Sequence, residues 1–96
     1  MSESFYVYIM GNDRPTLYVG VTNDLIRRVY EHKTEAIQGF TQKYNIKKLL
    51  YFEQFGSIEN AIEYEKRLKR WNREWKMRII RKVNPAFEDL YLKLIG

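Results

Sequence analysis

The sequence predicts an α+β domain in which a small sheet is covered by helices. Two short apolar runs, residues 5–10 and 17–21, are predicted as strands, and the six-residue polar loop between them indicates a β-hairpin. A third run, residues 49–55, is rich in the aliphatic and aromatic residues that favour strands. The remaining long segments show helical spacing of apolar residues. One hairpin and one later strand among helices are typical of an α+β domain.

The segment between the second and third strands should form the first helix. We expect this helix to run from Asp24, which offers a cap, to about Ala36. Leu25, Val29 and Ala36 would then face the core. Residues 38–43 fit either a loop or a short helical turn.

Two helices should follow the third strand. Ser57 is a natural N-cap for a helix that continues to about residue 70 or 71. A basic helix is predicted over residues 73–83, and Pro85 ends it because proline lacks an N–H and disfavours helix in the residue before it. One face of it should carry Trp75, Ile79, Ile80 and Val83. The closing segment has helical spacing and should pack on the core through Phe87, Leu90, Tyr91 and Leu94.

Length and composition limit the classes of protein that this chain can belong to. Ninety-six residues fit one domain, predicted over residues 1–96, and an apolar fraction of 45% favours a folded globule. The absence of cysteine excludes disulfides and thiolate metal sites. No apolar run reaches the roughly 18 residues of a membrane span, and the first residues lack the pattern of a signal peptide. We therefore expect a cytoplasmic protein with no membrane partner.

Positive charge is concentrated in one part of the chain. The net charge of the chain is +5. Nine of the seventeen basic residues lie between Lys66 and Lys82, and Glu74 is the only acid in that segment. Such clustering indicates a surface for a polyanion, although a solvated helix face would look the same. We expect the contacts to a nucleic acid to come from Lys69, Arg70, Arg73 and Lys76.

Glu65 is the most unusual carboxylate of the sequence. At about 100° per residue it falls in the middle of an apolar stripe on its helix, whereas Glu59 and Glu63 fall outside it. A carboxylate on a buried face is costly unless it is paired, protonated or bound to a metal. Glu65 is therefore either in an ion pair with a nearby cation or part of a metal or catalytic site. The stripe consists of Ile58, Ala61, Ile62, Leu68 and, in part, Lys69.

Arg28 and His32 form a second candidate pair. They are four residues apart and share a helix face that borders the apolar stripe. The planar guanidinium of arginine suits a phosphate because it donates two parallel hydrogen bonds. His32, the only histidine, could serve as a general base or proton shuttle, or could simply be a boundary residue.

Tyr8 and Tyr18 should lie close together on the predicted hairpin. A phenol has a pKa near 10, so it acts as a base only when a metal or cations stabilise the phenolate. Packing within the sheet is the alternative role for both side chains. Gly20 ends the second strand, where a missing side chain would let a substrate backbone approach.

These residues stand in motifs that resemble the GIY-YIG nuclease family. The first motif is present as Tyr6-Val7-Tyr8 and the second as Tyr18-Val19-Gly20. Residues 21–32 resemble the arginine-bearing helix of that family, and residues 61–69 resemble its glutamate-bearing helix. The resemblance covers roughly residues 5–83, leaving 84–96 as a C-terminal helical extension. It is greatest to the small stand-alone bacterial members.

The resemblance implies a fold and a set of roles. The fold would be a three-stranded antiparallel sheet flanked by helices. Tyr8 would be the base or water-orienting group, and Tyr18 the tyrosine of the second motif. Arg28 would stabilise charge on the phosphate, and His32 would occupy a position held by histidine or tyrosine. Glu65 would bind one divalent cation, Mg²⁺ or Mn²⁺.

The sequence departs from the family pattern at several places, including Val7 and Val19, which replace both motif isoleucines. Tyr6 replaces the first-motif glycine, which should narrow the cleft. The family asparagine that follows the glutamate could correspond to Asn72 or to Asn84.

Three functions are compatible with the sequence. The leading hypothesis is a metal-dependent endonuclease that hydrolyses phosphodiester bonds in DNA, including structured or damaged DNA. The second is a nucleic-acid-binding module with the same fold and little or no catalysis. The third is a protein-interaction domain whose partner surface includes Trp71, Trp75 and Phe87.

Overall fold

The computed structural model describes residues 3–96, so Met1 and Ser2 of the predicted domain lie outside the described residues. A three-stranded antiparallel sheet with strand order β2-β1-β3 forms its centre. The elements are β1 (Phe5–Gly11), β2 (Leu17–Thr22), α1 (Leu25–Lys33), α2 (Phe40–Lys43), β3 (Lys48–Phe55), α3 (Ile58–Arg70), α4 (Arg73–Val83) and α5 (Tyr91–Ile95). Within residues 3–96, no helix has both the length and the apolarity to cross a membrane.

The alternation of side chains along β1 divides the core between the two faces of the sheet. Val7 and Ile9 point to one face, where they pack with α3 and α4 through Ala61, Leu68 and Ile80. Tyr8 and Met10 point to the other face, where they pack with α1 and the closing segment. That second cluster comprises Tyr8, Met10, Leu25, Val29, Ile46 and Leu49, with Leu90, Tyr91 and Leu94 packed against it.

Side-chain caps set the starts of the two long helices. The Ser57 hydroxyl accepts a hydrogen bond from the N–H of Asn60, as its N-cap position in the sequence predicts. The side chain of Asn72 caps α4 in the same way through the N–H of Trp75. The N-cap of α1 is Asp24, whose carboxylate accepts from the N–H of Arg27.

Two details of the sequence-based expectation are wrong. Helix α1 ends at Lys33 and Ala36 is exposed, because Glu35 adopts a left-handed conformation with a φ of 60°. The apolar residues of α4 do not share one face, because Trp75 and Val83 are exposed whereas Ile80 is fully buried. The closing helix is short, as predicted, and Leu90, Tyr91 and Leu94 pack on the core.

Residues 38–43, which the sequence left open, contain a single helical turn, α2. The closing segment is joined to β3 through the backbone of Leu49. The N–H of Leu49 donates to the carboxylate of Asp89, and the carbonyl of Leu49 accepts from the N–H of Leu90. Asp89 also forms an ion pair with Lys33 at the end of α1. The segment thereby closes the face of the sheet that carries Tyr8.

Candidate active site

The two motif tyrosines lie together on the α1 face of the sheet. In the register of β1 with β2, Tyr8 is opposite Gly20 and Met10 is opposite Tyr18, so the tyrosines are diagonal neighbours. Their ring centroids are 6.4 Å apart. Tyr8 is buried and Tyr18 is partly exposed, which places Tyr18 between the interior and solvent.

Gly20 is required by the packing of Tyr8. A Cβ atom at this position would lie 2.4 Å from the Tyr8 hydroxyl and 2.5 Å from Cζ, well inside van der Waals contact. The phenol of Tyr8 therefore occupies the space over Gly20. This corrects the expectation that the missing side chain leaves room for a substrate backbone.

His32 connects Tyr8 to the short helix α2. Its Nε2 atom lies 3.2 Å from the Tyr8 hydroxyl, and its Nδ1 atom lies 3.1 Å from the hydroxyl of Thr41. All three side chains are buried. Their two hydrogen bonds form a continuous network from β1 through α1 to α2. Sequence reasoning missed Thr41 because it lies within residues 38–43, which had no clear structural assignment.

Burial favours the neutral form of both ionisable groups in this hydrogen-bonded network. It raises the pKa of Tyr8 above its usual value, and Tyr18, Glu65 and Glu31 add to the rise while Arg28 opposes it. Burial, followed by the Arg28 charge, lowers the pKa of His32, and Glu31 opposes that change. A neutral imidazole can accept from Tyr8 at Nε2 while donating from Nδ1 to Thr41, or the two directions can both be reversed.

Arg28 lies on α1 one helical turn before His32, and it is partly exposed to solvent. Its side chain is 43% exposed, and its Nε atom is 3.5 Å from a carboxylate oxygen of Glu31. The guanidinium charge affects the pKa of both Tyr8 and His32, so Arg28 lies within electrostatic range of these two residues. Its partial exposure leaves donors available to an anion that approaches from solvent.

Glu65 lies on α3, which packs on the face of the sheet opposite to Tyr8. Its side chain is only 12% exposed, and its carboxylate forms an ion pair of 2.8 Å with Lys69. The charge of Glu65 contributes to the raised pKa of Tyr8. Glu65 is therefore in an ion pair, as the sequence allowed, and its metal or catalytic role stays a prediction.

The donor set around Glu65 suits a cation that keeps most of its water. Within the part of the chain that the structure describes, no three His, Cys, Asp or Glu side chains converge on one point. A cage of protein ligands, as zinc or calcium requires, does not fit these residues. A single carboxylate fits Mg²⁺ or Mn²⁺, because Mg²⁺ commonly binds through one or two carboxylates and retains several waters.

The four basic residues expected to contact a nucleic acid differ in their surroundings. Lys69 is paired with Glu65, and Arg73 donates to the carbonyl of Pro15 at 2.9 Å. Lys76 is partly buried, which lowers its pKa, and Arg70 is exposed. Arg78, Arg81 and Lys82, further along α4, are exposed around an apolar groove, a grouping that charge counting alone did not single out.

The positions that depart from the family pattern have structural contacts of their own. Tyr6 packs edge-on against Phe52 of β3, with ring centroids 6.4 Å apart, whereas Tyr18 is on β2 at the other side of β1. Asn84 is buried, and its amide donates to the carbonyls of Leu50 and Glu88. Asn72 caps α4. Both asparagines are thus engaged in holding the fold.

Comparisons with known proteins agree with this architecture. The model of the GIY-YIG catalytic domain matches residues 4–78. A UPF0213 protein of Haloquadratum walsbyi is 33% identical over 79 residues, which cover 82% of this chain and 89% of the relative. A UPF0213 protein of Pediococcus pentosaceus is 32% identical over 88 residues, covering 92% and 93% of the two chains.

A solved structure extends the comparison to the fold. The solution NMR structure of the UPF0213 protein BH0048 from Bacillus halodurans aligns with a TM-score of 0.58 and 26% identity, over 90% of this chain and 92% of that chain. This likeness confirms the three-stranded α+β fold class. The chain belongs to the GIY-YIG family, a nuclease-type family. Among its members, this chain is similar to the small UPF0213 proteins.

Proposed function

We propose that this chain is a metal-dependent endonuclease that hydrolyses phosphodiester bonds in DNA. The observation that carries the proposal is the buried hydrogen-bonded network of Tyr8, His32 and Thr41. The charges of Arg28 and Glu65 are close enough to affect the pKa of Tyr8. Hydrolysis of a phosphodiester needs a group that accepts a proton from water, a cation that stabilises charge on the phosphate, and usually a divalent metal. Each requirement has a candidate residue here.

Tyr8 and His32 together can accept the proton of the attacking water. Tyr8 donates its own proton to Nε2 of His32 while its oxygen takes a proton from the water, whose oxygen attacks the phosphorus in line. The imidazolium that results is stabilised because its Nδ1–H donates to the hydroxyl of Thr41. This relay avoids a free phenolate, which the raised pKa of Tyr8 disfavours.

Arg28 and Glu65 supply the remaining parts of the proposed site. The partly exposed guanidinium of Arg28 would bind the phosphate and stabilise the negative charge that develops on it. Glu65 would hold one Mg²⁺ or Mn²⁺, releasing its ion pair with Lys69. When bound, such a cation polarises the phosphoryl oxygen and neutralises part of its charge. Tyr18, partly exposed beside Tyr8, would orient the scissile phosphate.

The basic helices would hold the polynucleotide backbone. Lys69, Arg70, Arg73 and Lys76 lie on α3 and α4 and would contribute phosphate contacts. Contacts of this kind give salt-dependent binding with little sequence preference.

A second candidate is a nucleic-acid-binding module with little or no catalysis. Two observations favour it. Tyr8 is only 1% exposed, so water reaches its hydroxyl only if neighbouring side chains move. The carboxylate of Glu65 is already neutralised by Lys69. Persistent binding in the presence of a chelator, with no cleavage under any divalent metal, would favour this candidate.

The experiment that tests the proposal compares two glutamates of α3. Glu65→Gln should abolish the metal-dependent nicking of supercoiled plasmid DNA, because it removes the proposed metal ligand. Glu63→Gln is the matched control, since Glu63 is 74% exposed and pairs with Arg67 four residues on, just as Glu65 pairs with Lys69. The control should nick at the wild-type rate, and circular dichroism should show both variants folded. Equal nicking by Glu65→Gln would refute the assignment.

A further inference from the structure

The outer side of α4 carries an apolar stripe whose two ends, Trp75 and Val83, are largely exposed in the described structure, while Ile79 between them packs in part on the core. Trp75 is 51% exposed and Val83 is 59% exposed, and both follow the spacing of Ile79 along the helix. Ile80, next to Ile79 but turned towards the sheet, is fully buried and attaches α4 to the core. Exposed apolar surface grouped in this way is characteristic of a binding site.

The stripe forms one wall of a groove of about 490 Å³. Trp71, which ends α3, and Trp75 meet edge to face with ring centroids 5.6 Å apart. The volume falls within the roughly 300–1,000 Å³ of sites that bind small molecules. Six side chains line the groove, namely Trp71, Trp75, Arg78, Ile79, Arg81 and Lys82.

The rim of the groove is positively charged. Arg78 lies over the Trp75 ring, with its guanidinium carbon 5.9 Å from the ring centroid. Arg81 has Glu74 at 4.0 Å, the limit of an ion pair, and Glu74 is the only acid of α4. An occupant that complements both the rings and the cations must be flat, apolar on its faces and linked to negative charge.

We propose that this groove binds a single-stranded stretch of nucleic acid, with a base stacked on Trp75 and phosphates at Arg78, Arg81 and Lys82. Stacking on an aromatic ring requires an unpaired base, which a single strand offers and an intact duplex does not. The proposal rests on the proposed function, and it specifies the substrate as DNA with an unpaired segment. Trp71 follows Glu65 by six residues, so the groove begins about 9 Å along the axis of α3 from the proposed metal ligand.

The sequence provides a direct reporter for this groove. The chain has two tryptophans and both line it, so the intrinsic tryptophan fluorescence reports only on the proposed site. Wild-type protein in chelator is titrated with oligodeoxythymidylate, which is single-stranded and itself lacks this emission. We expect saturable quenching, weaker quenching by a duplex of equal length, and none by polyglutamate.

Variants test the two halves of the interaction through the anisotropy of a labelled oligonucleotide. Trp75→Ala should weaken binding about tenfold, because a base loses its stacking partner. Arg78→Gln should weaken it and should reduce the slope of log K against log salt by about one. The matched controls are Tyr30→Ala, an exposed aromatic on α1, and Lys93→Gln, a cation on α5, and neither should change the affinity.

The possible outcomes separate this proposal from the nuclease proposal. Oligonucleotide binding without quenching, or equal affinity of Trp75→Ala, would overturn the groove and leave the nuclease intact if Glu65→Gln still fails to nick. Quenching that depends on Trp75, with no nicking under any divalent metal, would leave the groove and refute the nuclease. Quenching by polyglutamate as strong as by the oligonucleotide would show that the groove takes an acidic protein instead.

Discussion

The tyrosine site and the outer side of α4 use aromatic and basic side chains in opposite ways. Tyr8 and His32 are 1% and 3% exposed, and each hydroxyl and ring nitrogen of the Tyr8–His32–Thr41 network has a hydrogen-bond partner. Trp75, in contrast, is 51% exposed beside cations that face solvent. Burial makes the position of each proton matter in the first region. In the second, exposed rings and charges can only contribute contact area and electrostatic attraction.

The largest expected effect follows from removing one oxygen atom from the buried site. Tyr8→Phe should lower the rate of nicking by about 100-fold or more, because a positioned proton-transfer group typically contributes roughly 10²–10⁴-fold. The ring remains, so the packing over Gly20 is kept. The rate is measured on supercoiled plasmid at saturating Mg²⁺ or Mn²⁺.

Tyr51→Phe is the matched control for this change. Tyr51 is also buried but lies on the other face of the sheet, where its hydroxyl donates to Glu53 at 2.9 Å and lies 2.8 Å from the Tyr64 hydroxyl. Loss of these two hydrogen bonds should cost roughly 1–3 kcal/mol of unfolding free energy and leave the rate unchanged. If the two variants lose the same activity, Tyr8 has only a structural role.

The second effect concerns the steric fit between Gly20 and Tyr8, not proton transfer. Gly20→Ala should destabilise the fold by about 1–3 kcal/mol, because its Cβ would overlap the Tyr8 phenol and force it to move. The matched control is Gly56→Ala, where nothing lies within 4 Å of the added Cβ. Urea denaturation measures both. Equal stability of the two variants would show that Tyr8 shifts freely, and that its hydrogen bond to His32 does not fix its position.

The sequence was sufficient to predict the elements and the proximity of Tyr8 to Tyr18, but not the hydrogen bonds around Tyr8. Periodicity and caps located the strands and α3 and α4, because these depend on local pattern. The position of Glu65 within an apolar stripe indicated a nearly buried carboxylate, which the structure has. Thr41 could not be found, because a hydroxyl on a one-turn helix gives no local signal. The exposure of Trp75 could not be predicted, because periodicity shows a helix's apolar face without showing what covers it.

The smallest expected effect is a pH dependence of stability that belongs to His32 alone. Burial lowers the pKa of the native imidazole, whereas the unfolded chain titrates near 6.5. Below about pH 6.5 the unfolded state therefore binds more protons than the native state, and stability falls as the pH falls. The slope for one proton is at most about 1.4 kcal/mol per pH unit.

Because His32 is the only histidine, His32→Gln should remove this slope between about pH 5.5 and 7.5. Trp75→Ala should keep it, since α4 lies on the other face of the sheet. The measurement is the free energy of unfolding in urea at a series of pH values. A wild-type protein whose stability is flat across this range would mean that the imidazole is not held neutral, and the relay through Nε2 would then lack its acceptor. An equal pH dependence of the unfolding free energy in wild type and His32→Gln would show that another group titrates. The stability measurements would then give no support for a neutral imidazole at His32.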